Sequence, residues 1–289
     1  MTDPTPESLQ GAMLSESARP VVEFPSVKSL LLELYWGDMR LATATGTLLA
    51  RDQQSHCSVI TNRHVVTGRH QDTGQALDKN GAIPDRITIH FFEPVDHDWR
   101  WKAITLPLYR DNDDPYWIEH PTLGEAADIV ALNLTWASDV EKFPYYLDTA
   151  HDRVGMILRP AEPVSVVGFP FGLSSSDKFP IWATGFLAQE LSLVTPQKPV
   201  FLIDCRTRAG QSGSPVLAFR TGSYRRIKGT KVTTTMSATE TAWEFLGIYS
   251  GRVNPESDLG RVWHVDALAE LLDAAAADDE RRRKAAATA

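Results

Sequence analysis

Gly210-Gln211-Ser212-Gly213-Ser214-Pro215 is the stretch on which the reading of this chain turns. A serine set between two glycines and closed by a proline makes a tight turn that presents a hydroxyl, because Gly supplies positive φ and Pro fixes a bend. A serine hydroxyl becomes a nucleophile only with a base within hydrogen-bond reach, and that base needs a third group to orient it. Both lie upstream. Thr61-Asn62-Arg63-His64-Val65-Val66 offers an imidazole, and Ala127-Asp128-Ile129-Val130-Ala131-Leu132 offers a carboxylate. Each piece alone has a plainer reading as a turn, a packed strand-end histidine or the start of a strand. Together they stand at the edges of apolar β-type runs, in the order His, Asp, Ser, and motif matches gain force when their context agrees. The expected roles are Ser212 as nucleophile, His64 as general base and Asp128 as its orienting acid. Backbone N–H groups of Gly210 and Ser212 are the expected donors to a developing oxyanion.

Outward from these motifs the chain reads as all-β. Leu41 to Ala50 and Cys57 to Thr61 are expected strands, with His64 just beyond the second. Arg86 to Phe92 alternates apolar and polar residues in the half-buried strand pattern. Trp99 to Tyr109, Ile129 to Leu134, Pro163 to Gly168, Ile181 to Gln189, Pro199 to Asp204, Val216 to Phe219 and Phe245 to Tyr249 follow as strands. Val27 to Leu34 fits a strand or a short helix, and Thr221 to Thr241 fits a long hairpin or a loop. Many short strands punctuated by turn signals argue for an all-β domain. Val265 to Ala277 carries apolar residues at helical spacing and is an expected C-terminal helix. The expected organisation is a disordered tail over residues 1–25, one unit over 26–145, a second over 146–264, and helix plus tail over 265–289.

These segments resemble those of the chymotrypsin-fold (trypsin-like) serine proteases, in the bacterial branch that holds the Deg/HtrA proteases and the glutamyl endopeptidases. Thr-Asn-x-His-Val-Val is similar to that branch's histidine motif and Gly-x-Ser-Gly-Ser-Pro to its serine motif. Asp204 stands eight residues before Ser212, where the branch also carries an Asp. Val166 to Pro170 resembles its strand and Gly-x-Pro turn, and Leu246 to Gly251 its substrate-lining strand. The resemblance covers scattered motifs over about residues 30–265. It implies two six-stranded antiparallel barrels with the site in the cleft between them, a helix packed on the second barrel, and serine endopeptidase activity through an acyl-enzyme. It also implies a primary substrate pocket lined by Arg206, Thr207, Tyr249, Ser250 and Gly251. Glutamyl endopeptidases use the counterpart of Thr207 with a histidine to hold an acidic side chain, and Tyr249 stands where that histidine falls. Arg206 is an alternative source of positive charge. Gln211 occupies the place where digestive relatives keep an Asp that pairs with a new N-terminal amine, so activation by that route is not expected. Past residue 265 there is room for a helix but not for a PDZ domain.

Composition is that of an ordinary globular enzyme, with 43% hydrophobic and 23% charged residues among 289. No apolar run approaches the roughly 20 residues that span a bilayer, and the polar N-terminus lacks a secretory pattern. A cytoplasmic bacterial protein, regulatory or defensive, is the expectation. Cys57 and Cys205 are expected to be reduced and buried, since two cysteines make no disulfide framework. Net charge is −8, which disfavours nucleic acid. Arg281-Arg282-Arg283-Lys284 follows Asp278-Asp279-Glu280 and reads as a solvated helix face or a frayed tail, not as a nucleic-acid site. No metal or cofactor motif is present; His97 between Asp96 and Asp98 is a weak cation signal. Expected partners are a protein or peptide substrate and, compatibly, a regulatory protein, with no nucleic acid and no membrane. An α/β-hydrolase is excluded, because Ser214 takes the second glycine position of its elbow and the histidine comes first. A catalytically silent, peptide-binding relative remains as the alternative.

Overall fold

The structure, a computed structural model, describes residues 22–94, 98–136 and 138–288. Residues 1–21, most of the expected tail, and His97 lie outside the described residues. Phe24–Val27 form a 3-10 turn with Pro25 buried, within the stretch expected to be tail.

The first half is an eight-stranded sheet built from β1 (Ser29–Trp36), β2 (Met39–Ala50), β3 (Ser58–Thr61), β4 (Arg86–Phe92), β5 (Trp101–Pro107), β6 (Trp117–Glu119), β7 (Val130–Leu132) and β8 (Tyr145–Tyr146). Its order is β5-β4-β1-β2-β3-β7-β6, with β8 parallel to the end of β2. The second half is a closed six-stranded barrel of β9 (Pro163–Gly168), β10 (Ile181–Leu187), β11 (Val200–Asp204), β12 (Pro215–Lys228), β13 (Lys231–Arg252) and β14 (Leu259–His264). The all-β, two-unit architecture is therefore as expected, and the second barrel has its six strands. The first unit differs in detail. Its sheet curls without a closing ladder between β5 and β6 among the described residues, and short β6 and β8 raise the strand count.

Besides the short β6 and β8, two further elements go unread in the sequence. β14 carries Gly260, which weakens a strand signal; the aromatic ring of Tyr249 occupies the space a Cβ there would need, at 2.5 Å. A one-turn helix, α1 (Arg63–Thr67), follows β3 and carries His64. The segment 221–241 resolves as a long hairpin.

The C-terminal helix α2 (Val265–Thr288) runs beyond the expected Ala277. Ion pairs at i,i+4 spacing, Arg282–Asp278 at 2.6 Å, Arg283–Asp279 at 2.8 Å and Lys284–Glu280 at 2.6 Å, carry it through the charged run. The helix covers the seam of both halves rather than the second barrel alone. Leu268, Leu271 and Leu272 share one buried cluster with Leu49, Ile60 and Tyr145 of the first half and Val167, Leu217 and Phe245 of the second. Arg51 reaches Asp273 at 2.6 Å, and Asn133 donates to the Ala275 carbonyl at 2.7 Å. His56 ties Asn133 to the same helix, at 2.8 Å through Nε2 and 3.3 Å from Asp279 through Nδ1. Cys57 and Cys205 are free and buried, and burial pushes their thiols up to about 12 and about 11.

Among the described residues, one ion pair is fully buried. The Lys28 ammonium sits 2.9 Å from Asp152, donates to the Pro144 carbonyl at 2.5 Å and lies over the Tyr145 ring at 4.5 Å. Asp152 also accepts from the Tyr146 N–H at 2.9 Å and Trp243 Nε1–H at 2.8 Å. Burial lowers the Lys28 pKa and Asp152 opposes that shift. The pair fastens the start of β1 to the crossover between the two halves, residues 147–162 between β8 and β9, and to β13. Breaking a buried pair leaves an uncompensated charge, at about 3–5 kcal/mol. We predict that Lys28→Met and Asp152→Asn each lower the unfolding free energy by about that amount in urea titrations. The double variant should lose less than the sum, by about 0.5–3 kcal/mol of coupling.

Candidate active site

Asp128 sits two residues before β7, after a turn in which Gly124 donates to the His120 carbonyl at 2.9 Å and Ala127 to the Gly124 carbonyl at 3.1 Å. His120 is buried, and its Nδ1 accepts from the N–H groups of Thr122 and Leu123 at 3.3 and 3.2 Å. Burial lowers the His120 pKa, which suits the neutral acceptor this turn needs. Asn62, at the start of α1, does not cap the helix; its Nδ2 donates to the Asp128 carbonyl at 2.6 Å. The helix and the acid are thereby held in register.

Asp128 grips His64 at two points. Its Oδ1 accepts from the His64 backbone N–H at 2.9 Å, and its Oδ2 lies 2.7 Å from Nδ1. A carboxylate only accepts, so Nδ1 carries the proton and Nε2 is left with a free lone pair. Nε2 lies 2.9 Å from the Ser212 Oγ. Asp128 is buried and His64 is partly open to solvent. The three side chains expected to meet do so, in an unbroken line from acid to imidazole to hydroxyl.

The loop that carries Ser212 is shaped by two glycines. Gly210 has φ +95° and Gly213 φ +86°, conformations that disfavour a Cβ, and an added Cβ would lie 2.3 Å from the Phe169 carbonyl and 2.0 Å from the Thr45 carbonyl respectively. The Ala209 carbonyl accepts from the Phe171 N–H at 2.6 Å. In a trans peptide the N–H points opposite to the C=O, so this bond turns the Gly210 N–H away from Phe171. Neither the Gly210 nor the Ser212 N–H has an acceptor among the described residues. Phe171 is held at φ +55° with its ring exposed, a non-glycine residue in the left-handed region beside the site.

The first sheet holds this loop from the other side. The Thr45 N–H donates to the Ser212 carbonyl, Thr45 Oγ1–H to the Gly210 carbonyl and Thr47 Oγ1–H to the Gly213 carbonyl, all at 2.9 Å. Thr61 Oγ1–H in turn donates to the Thr45 carbonyl at 2.9 Å. All three threonines are buried. None was singled out in the sequence, because a threonine in a strand is ordinary.

A cleft of about 1200 Å³ opens in front of Ser212, with His64, Gln71 and Leu77 on one side and Gly210, Ser250 and Gly251 on the other. Of the five residues expected at the primary pocket, Ser250 and Gly251 are the two on this cleft's lining. Thr207 and Tyr249 are buried and their hydroxyls hydrogen-bond to each other. Arg206 is 85% exposed, 3.7 Å from Asp258, and is not among the cleft's lining residues. Asp204 ends β11 on the surface. Gln211 is buried, and its Oε1 accepts from the Arg208 N–H at 2.7 Å, so a neutral amide fills the place of an ion-paired carboxylate.

Thr45→Val preserves shape but strips the Gly210 carbonyl of its donor. Leaving a buried polar group unpaired costs about 1–3 kcal/mol. Urea unfolding should show that loss, whereas Thr43→Val on the same strand should change stability by no more than about 0.5 kcal/mol.

The sequence profile of the trypsin-like peptidase domain matches residues 44–224, a span that includes His64, Asp128 and Ser212. No curated protein matches the chain in sequence. Among solved structures, the Rv3671c protease from M. tuberculosis in its active form aligns with 16% identity over 88% of this chain and 83% of that one, at a TM-score of 0.44. The inactive form of Rv3671c protease aligns with 16% identity over 88% and 91%, at 0.43. The serine endoprotease from Yersinia pestis aligns with 10% identity over 88% and 66%, at 0.47. With its profile match extending over more than half of its length, the chain belongs to the trypsin-like peptidase domain family.

Proposed function

We propose that this protein is a serine endopeptidase that hydrolyses peptide bonds through Ser212, His64 and Asp128. The observation that carries the reading is the continuous line of 2.7 and 2.9 Å contacts from Asp128 through His64 to Ser212. In the acylation half, Nε2 of His64 takes the Oγ proton as Oγ attacks the substrate carbonyl carbon. The oxyanion that forms takes hydrogen bonds from the N–H groups of Gly210 and Ser212, each typically worth about 2.7–4 kcal/mol to the transition state. The C–N bond then breaks, and His64 returns the proton to the departing amine. In the second half a water gives a proton to His64 as its oxygen attacks the ester carbon; the C–Oγ bond then breaks, His64 returns the proton to Oγ, and the acid leaves. Asp128 holds the ring in the required tautomer and steadies the imidazolium.

The same reading extends to the primary pocket. The Tyr249 ring packs against Gly260, and its hydroxyl is tied to Thr207. In this reading the pair closes the floor of the pocket beside Ser212 with a neutral phenol, while Arg206 is exposed at the surface. Short, uncharged side chains are therefore the preferred residues before the scissile bond, in place of an acidic one.

Two measurements test this function. Ser212→Ala should lower cleavage of a fluorogenic peptide by ~10⁴-fold or more, with unfolding unchanged, and should abolish labelling by a fluorophosphonate. A wild-type protein that resists the probe would support the silent alternative. A peptide-library profile should be enriched in Ala, Ser and Val before the cleaved bond, and Tyr249→Ala should shift it toward larger residues by about tenfold. Enrichment in Glu, Asp, Lys or Arg would overturn the pocket assignment.

A further inference from the structure

The end of the β12–β13 hairpin is built unlike the rest of the chain. Its register pairs Lys228 with Lys231, Ile227 with Val232, Arg226 with Thr233, Arg225 with Thr234 and Ser223 with Met236. Directly paired residues share a face, and successive pairs alternate between faces. One face therefore carries Ile227, Val232 and Met236, exposed by 59, 66 and 81%. The other carries Arg226, Lys228 and Lys231. Residues 221–239 contain these three cations and Arg225 but no Asp or Glu, in a chain of net charge −8. Arg225 pairs with Glu162 at 3.3 Å. Among the described residues, no carboxylate pairs with Lys228 or Lys231, and the Arg226 Nε has no hydrogen-bond partner.

Both arrangements are unfavourable in water. Two lysines directly opposite on neighbouring strands repel, and an exposed apolar stripe is a usual sign of an interaction site. An anionic bilayer relieves both, because apolar side chains enter the headgroup boundary while long cationic ones extend to lipid phosphates. We propose that the hairpin tip docks on an anionic lipid surface, through Ile227 and Val232 with Lys228, Lys231 and Arg226. A nucleic-acid duplex would match the cations but leave the apolar stripe in water. A second copy of the chain would bring its own excess of negative charge, but would need a shape fitted to a narrow tip, which a bilayer does not. No membrane partner was expected from the sequence because no segment spans a bilayer; a docked hairpin needs no span.

The test is co-sedimentation of the full chain with phosphatidylcholine vesicles containing ~30% phosphatidylserine, against pure phosphatidylcholine, at ~0.1 M salt. Binding is expected to the anionic vesicles only. Lys228→Glu with Lys231→Glu should lower the partition coefficient by about tenfold or more, and Ile227→Ser with Val232→Ser should lower it at unchanged charge. Circular dichroism and melting temperature report that each variant is folded, and Lys228→Gln with Lys231→Gln provides a milder pair. Absence of wild-type binding, or equal binding by the folded charge-reversed variant, would overturn the proposal. So would hairpin-dependent self-association or retention of a DNA duplex without binding to vesicles.

Discussion

Two threonines on one sheet hold the reactive loop of the other. Thr45 and Thr47 of β2 reach the carbonyls of Gly210, Ser212 and Gly213 at 2.9 Å, and every other feature of the site presupposes those bonds. Ser212 lies on the loop that enters β12 of the second barrel, while His64 on α1 and Asp128 before β7 lie in the first half. A nucleophile and base contributed by separate units can stay within 2.9 Å only if the units are fixed to each other at that point. The threonine bonds do this beside Ser212 itself, where an error in relative position would be felt most, since a 1 Å displacement is enough to impair near-attack geometry. The close approach also explains why Gly213 is glycine, because the Thr45 carbonyl occupies the space of its missing side chain.

At the reactive loop itself the contact between the halves is neutral. Hydroxyls, amides and carbonyls make it, and the buried Gln211 beside Ser212 adds an amide and no charge. A charge buried there would add its own field to the His64–Asp128 pair in a low dielectric. The fully buried ion pair lies elsewhere, at Lys28 and Asp152, where it joins the start of β1 to the crossover. Charge is thus used to anchor the chain between the halves, and uncharged hydrogen bonds are used to aim the site.

How much of this was legible in the sequence follows from how locally each feature is encoded. His64, Asp128 and Ser212 were readable because the chemistry fixes residue type and the turns around it demand glycine nearby. The strands β4 and β9 were readable from alternation and apolar runs. Thr45 and Thr47 were not, since their partners lie 165 and 166 residues away and a strand threonine carries no mark of its contact. β14 was hidden by Gly260, whose purpose appears only when the Tyr249 ring is in place. The last turns of α2 were hidden by charge, because acidic and basic runs fit a helix face or a frayed tail alike, and only their pairing along the helix decides for the helix. Arg206 shows the opposite failure. A cation near the serine motif reads as a ligand, yet its side chain is solvated and faces Asp258.

The peptide between Ala209 and Gly210 shows how strain and site are linked. The Phe171 N–H reaches the Ala209 carbonyl at 2.6 Å from a residue held at φ +55°, a conformation that for a bulky residue costs of order 1–3 kcal/mol. That local cost is tolerable because neighbouring bonds hold the same turn: Gly172 donates to the Phe169 carbonyl at 2.9 Å and Leu173 to the Pro170 carbonyl at 2.8 Å. If the peptide rotated, its carbonyl would lose the Phe171 donor and face the space in front of Ser212. A negative oxygen there would then meet a carbonyl dipole instead of an N–H, turning an attraction into a repulsion. The left-handed phenylalanine is therefore best understood through the atom it orients, the Gly210 N–H, and not through its own exposed ring.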